Sequence, residues 1–180
     1  MFSKADIEKY FLAEKQESLL FMVAGAVAIA LALLFFFFLR GQFYKGAALP
    51  LLVLGVIQLT AGIVVFNRSG DDRMRNVYAY DMDPARLKNE ELPRIQRVNN
   101  NFIRYRWAEI VLLLAGIGLL FYFKSQPAGR FWSGLGLTLA IEAAILLGAD
   151  YVASRRAQVY TKGLQSFLEK LYKSAPPEDR

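Results

Sequence analysis

The chain contains no cysteine and no histidine. The first absence removes disulfides and thiol nucleophiles, and the second removes imidazole bases. Together they take away the usual ligands of zinc, copper and haem, so no resident metal or cofactor is expected. No glycine-rich phosphate loop occurs either. Asp81-Met82-Asp83 has the spacing of some divalent-cation sites, but Asp83 stands directly before Pro84 and reads more simply as a helix cap. An enzyme is therefore the least favoured class.

What is present is apolar and grouped. Hydrophobic residues make up 55% of the 180, with 14 Phe among them, and they fall in long runs rather than in a repeating pattern. Leu19 to Leu39 carries no charge and, at 1.5 Å per residue, reaches about 30 Å, the thickness of a bilayer core. Gly46 to Phe66, Trp107 to Phe123 and Phe131 to Val152 give three further spans, the last containing Glu142 and Asp150. Tilt or an extra turn absorbs their unequal lengths. The first run is too long for the apolar region of a secretory signal and is read as a permanent anchor.

The expected architecture is all-α: a four-helix transmembrane bundle with cytoplasmic helical extensions. Its segments are a cytoplasmic amphipathic helix (1–18), a first transmembrane hairpin (19–66), a cytoplasmic helical loop (67–106), a second transmembrane hairpin (107–152) and a cytoplasmic tail helix (153–180). Orientation follows from Lys and Arg. Eighteen lie in 1–18, 67–106 and 153–180, against four (Arg40, Lys45, Lys124, Arg130) in the two remaining loops. The positive-inside rule then places both termini in the cytoplasm. This distribution also accounts for the +6 net charge without a nucleic-acid partner. The short outer loops and missing cysteines suit a bacterial inner membrane.

The cytoplasmic segments have their own patterns. Ser3 with Asp6 predicts a capped helix whose apolar face, Ile7, Tyr10 and Phe11, lies on the inner leaflet. Pro93 is expected to open the helix that continues into the third span. Ile95, Val98, Phe102 and Tyr105 form a stripe on that helix, and Tyr160, Leu164, Phe167 and Leu171 form one on the tail, so the two faces are expected to pack together.

An internal repeat is suggested by two pairs of motifs. Gly41-Gln42-Phe43-Tyr44-Lys45-Gly46 and Gly129-Arg130-Phe131-Trp132-Ser133-Gly134 both read G-x-F-aromatic-x-G. Arg73 to Tyr78 similarly resembles Arg155 to Tyr160. The offsets are 88 and 82, which calls for an insertion of six near Gly70, Asp71 and Asp72. Duplication of a helical hairpin explains both motifs, whereas interface preference for glycine and aromatics explains only the first.

The candidate site is an intramembrane polar cluster: Glu142, Gln58, Thr138, Glu109 and Asp150. Glu142 lies midway along the fourth span, where an acid facing lipid costs roughly 2.5–3.5 kcal/mol. One reading gives it a proton or cation in a transport path. The other bonds it to Gln58 or Thr138 as packing glue, and is preferred because isolated polar residues in spans commonly do this. Gly55, Gln58 and Gly62 make a small-polar stripe on the second span, and Ala24, Ala28 and Ala32 a small-residue seam on the first. Arg73, Arg155, Tyr78 and Tyr160 are expected to meet anionic lipid or a partner. The expected function is a non-catalytic membrane scaffold, accessory subunit or protective partner of another membrane component. The alternative is a small oligomeric ion- or proton-coupled transporter or channel using Glu142. The lipid bilayer and either a homo-oligomer or a membrane-protein partner are the expected associates.

Overall fold

The computed structural model describes residues 2–174, and every long element among them is helical. Four helices, α1 (Lys4–Phe37), α2 (Gln42–Met82), α3 (Pro84–Phe123) and α4 (Arg130–Ser174), are each long and apolar enough to cross a membrane. At 1.5 Å per residue they are about 50 to 70 Å long, well beyond the thickness of a bilayer. Each therefore has an apolar half and a polar half. The described chain ends and the α2–α3 turn share the polar end of the bundle.

The expected starts are found at two places. Asp6 accepts hydrogen bonds from the Ser3 backbone N–H and hydroxyl, each at 2.8 Å. The Asp83 carboxylate accepts from the Arg86 N–H at 3.2 Å, with Pro84 at the first helical position. Pro93 lies in the first turn of the α-helical stretch Leu92–Phe123, as expected, but that stretch continues from a preceding helical turn rather than starting at a cap. The proline has no N–H to donate four residues back, and the chain absorbs the loss with one π-turn, Leu87–Glu91, in which the Leu92 N–H reaches the Leu87 carbonyl. The helix runs on through it. This turn also aligns Leu87, Glu91 and Ile95 on one inward stripe.

In the polar half, Ile7, Tyr10 and Phe11 from α1 join Ala79, Leu87, Ile95, Ala157, Tyr160, Leu164 and Leu168 in one core. The α3 and α4 faces pack as expected, although Tyr105 and Leu171, at the ends of their stripes, are exposed. The first segment differs from expectation. Its apolar face is sealed inside this core, with Tyr10 stacked on Tyr160 at 4.2 Å between ring centres, and not laid on a leaflet. Phe2 closes the core against Tyr80, Tyr160 and Phe167.

The apolar half is organised in the opposite way: large hydrophobic side chains point outward from every helix. Leu20, Val27 and Phe37, Val53 and Val64, Val111 and Phe121, and Ile141 and Ile145 are all exposed. Apolar side chains exposed together on every helix are rare on water-soluble monomers and mark a membrane or protein contact. The interior is made of small residues that bring backbones together. A Cβ on Gly25 would fall 2.6 Å from the Gly55 carbonyl, and one on Gly116 would fall 2.8 Å from the Gly136 carbonyl. These contacts join α1 to α2 and α3 to α4. Gly25, Ala28 and Ala32 form the α1 seam, while Ala24, one residue or 100° away, is exposed.

The two hairpins meet through α2 and α4. A Cβ on Gly46 would overlap the Phe131 carbonyl group, and one on Gly134 would overlap that of Phe43. Gly46 and Gly134 differ by 88 in sequence, as do Phe43 and Phe131, so the contact is reciprocal. The other motif does not follow. α2 is unbroken through Gly70, Asp71 and Asp72. Tyr78 is exposed where Tyr160 is buried. Positions 88 apart instead share burial: Ser69 with Ala157, Asp72 with Tyr160 and Asn76 with Leu164.

Candidate functional site

The expected polar cluster separates into two sites. The first lies inside the α2–α4 seam, where Gln58 Nε2 donates to Glu142 Oε2 at 2.9 Å. Both side chains are buried. Thr138 is near but does not join them, because its hydroxyl donates to backbone carbonyls, Ala47 at 3.0 Å and Gly134 at 3.1 Å. That choice satisfies the hydroxyl and ties α4 to α2 close to the glycine contact.

The second site exists because α1 and α3 scarcely touch, whereas α2 packs on α4 between them. A cleft of about 630 Å³ remains where the apolar and polar halves meet, and all four helices line it. Its apolar walls include Phe21, Ile57 and Leu146, and its charged residues are Glu14, Glu17, Glu109, Asp150, Arg68 and Arg156. Glu109 lines it from α3 and Asp150 from α4. Gln58, Thr138 and Glu142 do not line this cleft.

Most of the cleft's charges already have partners. Glu14 Oε2 accepts from Ser69 at 2.7 Å, and its other oxygen accepts from Tyr10 at 3.3 Å and pairs with Arg68 at 3.6 Å. Arg68 also pairs with Asp72, and Arg156 pairs with Glu17. Arg106 donates to Ser154 at 3.1 Å. Glu109 and Asp150 are the exceptions: neither is bonded to a donor or paired with a cation among the described residues, and Glu109 Oε2 is shielded from solvent.

Below the cleft, Glu91 holds the polar half together. It accepts twice from Arg94, each at 2.7 Å, and once from Asn76 at 3.1 Å. Burial of the Arg94 guanidinium works against its charge, but the bonds to Glu91 outweigh that and raise its pKa above the ordinary value. Burial, reinforced by the neighbouring Glu14, raises the Tyr10 phenol above its usual range, and burial with the charge of Glu91 does the same for Tyr160.

The four other expected contact residues do not form one surface. Arg155 is exposed with its guanidinium 5.0 Å from the Tyr151 ring centre, Arg73 is half-buried, Tyr78 is exposed and Tyr160 is in the core. Asp81 pairs with Lys4 and Asp83 caps α3, so the Asp-x-Asp pattern has separate structural duties. Among the described residues, no group of three or more acids is placed to hold a metal. Sequence reasoning missed Glu14, Glu17, Arg68 and Arg156, which come from helix faces far apart in the chain. No protein-family model, no curated protein and no solved structure matches this chain.

Proposed function

We propose that this is an integral protein of a bacterial inner membrane, with four helices across the bilayer, both termini in the cytoplasm and the polar core on the cytoplasmic side. Its role is non-catalytic: it acts as scaffold, accessory subunit or protective partner of another membrane component. The outward-facing apolar side chains support the membrane setting, and the eighteen-to-four distribution of Lys and Arg supports the orientation. The reciprocal Gly46–Gly134 contact supports an origin by hairpin duplication, with the two hairpins related by a pseudo-twofold along the bundle axis.

The observation that carries the functional reading is the Gln58–Glu142 hydrogen bond. A transport path needs its intramembrane acid to meet an aqueous or substrate-filled space, whereas Glu142 is bonded within a helix seam and lies outside the cleft. Packing glue is the role this geometry suits. Proton and cation flux into proteoliposomes tests it: neither the wild type nor Glu142→Gln should conduct above empty liposomes. Flux that disappears in Glu142→Gln would favour transport. Recovery of a specific membrane protein with the chain from native membranes is the expected complement.

A further inference from the structure

The outer faces of α2 and α4 match each other position for position. From Val53 to Tyr78, in steps of 3, 4, 4, 3, 4, 3 and 4 residues, every position on α2 is exposed, and so is each position 88 later on α4, from Ile141 to Ser166. Steps of three and four keep to one face of a helix. That face points away from the core. Met74 and Tyr78 stand two residues, or about 200°, from the buried Asp72 and Asn76, and Arg155 and Lys162 stand the same angle from the buried Ala157 and Tyr160.

Lipid covers only the membrane part of these faces. Met74 and Tyr78 lie 8 and 12 residues past Phe66, the end of the second apolar run, which is about 12 and 18 Å. The headgroup layer beyond the hydrocarbon is only about 5–8 Å thick. Met74 is nevertheless 61% exposed and Tyr78 66%. Apolar side chains left open beyond the reach of lipid mark a protein contact.

What each face lacks, the other supplies. In the membrane part, Val56 and Thr60 stand where α4 has Ala144 and Gly148, and a Cβ on Gly148 would meet nothing within 4 Å. Small residues four apart let a second helix come close. In the polar part, Asp71 has no cationic partner among the described residues, and Arg155 and Lys162 have no carboxylate partner there. Val159 is level with Asp71, and Arg155 and Lys162 stand one turn to either side of it. Copies inserted in one membrane share an orientation, so α2 of one copy and α4 of the next run parallel at the same depth. We propose that the chain associates head to tail with further copies of itself, with α2 packed on the neighbour's α4, Val56 and Thr60 over Ala144 and Gly148, and Asp71 between Arg155 and Lys162. Because the contact joins two different faces, it builds a ring or a row of copies. A twofold pair through α2 would instead set Asp71 against Asp71, and one through α4 would set Arg155 against Arg155. Crowding in the plane of the bilayer favours the contact, whereas dilute micelles carry single chains. The inference deepens the scaffold reading and rests on the membrane reading for the shared orientation.

The absence of cysteine allows a disulfide test on the purified full chain in liposomes. Tyr78→Cys and Ser166→Cys fall at exposed, level positions on the two faces. Under mild oxidation the double variant should link into a ladder of dimers, trimers and larger steps. The two single variants reconstituted together should give dimers and nothing larger, and each alone should give only the background of random collision. Asp71→Lys in the double-cysteine chain should cut linkage about twofold to fivefold, the worth of an exposed ion pair, and adding Lys162→Asp should recover it. Dimers of Tyr78→Cys alone as abundant as the mixed product would overturn the proposal in favour of a twofold pair. A double variant that stays unlinked would overturn it in favour of some other occupant. The unaltered chain in native-lipid nanodiscs should show two or more copies by mass spectrometry, and single copies alone would overturn the proposal without any substitution. Failure of the chain to enter liposomes would overturn the membrane reading instead, and is seen before oxidation begins.

Discussion

Replacing Gly134 by alanine tests how closely α2 and α4 approach. The added methyl would lie 2.9 Å from the carbonyl carbon of Phe43, closer still to its oxygen, and 3.1 Å from the Ala47 nitrogen. These are backbone atoms, so no rotamer change can relieve the overlap. The two helices must part by roughly an ångström at this crossing, and a gap of about 0.5–1 Å forfeits a quarter to a half of each contact's dispersion energy. Overpacking of this kind costs about 1–3 kcal/mol, and a loss of about 2 kcal/mol is about thirtyfold in the folding equilibrium. Gly46→Ala should cost a similar amount, since its methyl would meet Phe131 in the same way. Because either methyl pushes the same two helices apart, the double variant should cost about 2–3 kcal/mol, clearly below the sum of the single losses. Gly118→Ala and Gly148→Ala are the controls: their methyl groups would meet nothing within 4 Å. Both should be neutral or slightly stabilising, because alanine is the better helix former. Reversible unfolding in mixed micelles measures all five variants. A neutral Gly134→Ala, or additive losses in the double variant, would refute the reciprocal contact.

Gln58→Leu should destabilise the bundle by about 1–3 kcal/mol, because it strips the buried Glu142 of its donor, whereas Glu142→Gln should cost less; the same unfolding assay separates them. Glu91→Ala should cost about 3–5 kcal/mol by leaving the buried Arg94 without its carboxylate, seen as early melting of the polar half in hydrogen exchange. Tyr10 and Tyr160 should keep their phenolic protons at pH values where exposed tyrosines ionise, which ultraviolet titration of Tyr10→Phe and Tyr160→Phe against the wild type reads directly. The sign follows from their raised pKa values: the stability they contribute is complete below pH 10, the ordinary phenol value, and falls as the pH rises above it, because the unfolded chain then releases protons that the folded one retains.

The four apolar helices were legible in the sequence because uncharged runs of this length leave few alternatives. The Gln58–Glu142 partnership was legible too, since a mid-span acid needs a donor and the facing helix offered one amide. The burial of Ile7, Tyr10 and Phe11 was not, because an amphipathic helix on a leaflet and one in a core present the same single apolar face. Ala24 and Arg155 were chosen where Gly25 and Arg156 face inward. One residue turns a helix by 100°, and sequence alone does not fix that phase when both neighbours have similar chemistry. The cleft was hidden for a different reason. It exists because α1 and α3 stay apart, and such a gap depends on how helices pair rather than on any one segment's composition.

The lack of cysteine makes the most direct test simple, since single cysteines introduced at Lys9, Lys162 and Ser125 can be labelled without background. In sealed vesicles of known orientation, a membrane-impermeant maleimide should reach positions 9 and 162 from the cytoplasmic side alone, and position 125 only from the opposite side. Labelling of 9 and 162 from opposite sides, or of all three from the same side, would contradict a four-helix bundle crossing the membrane with both termini in the cytoplasm.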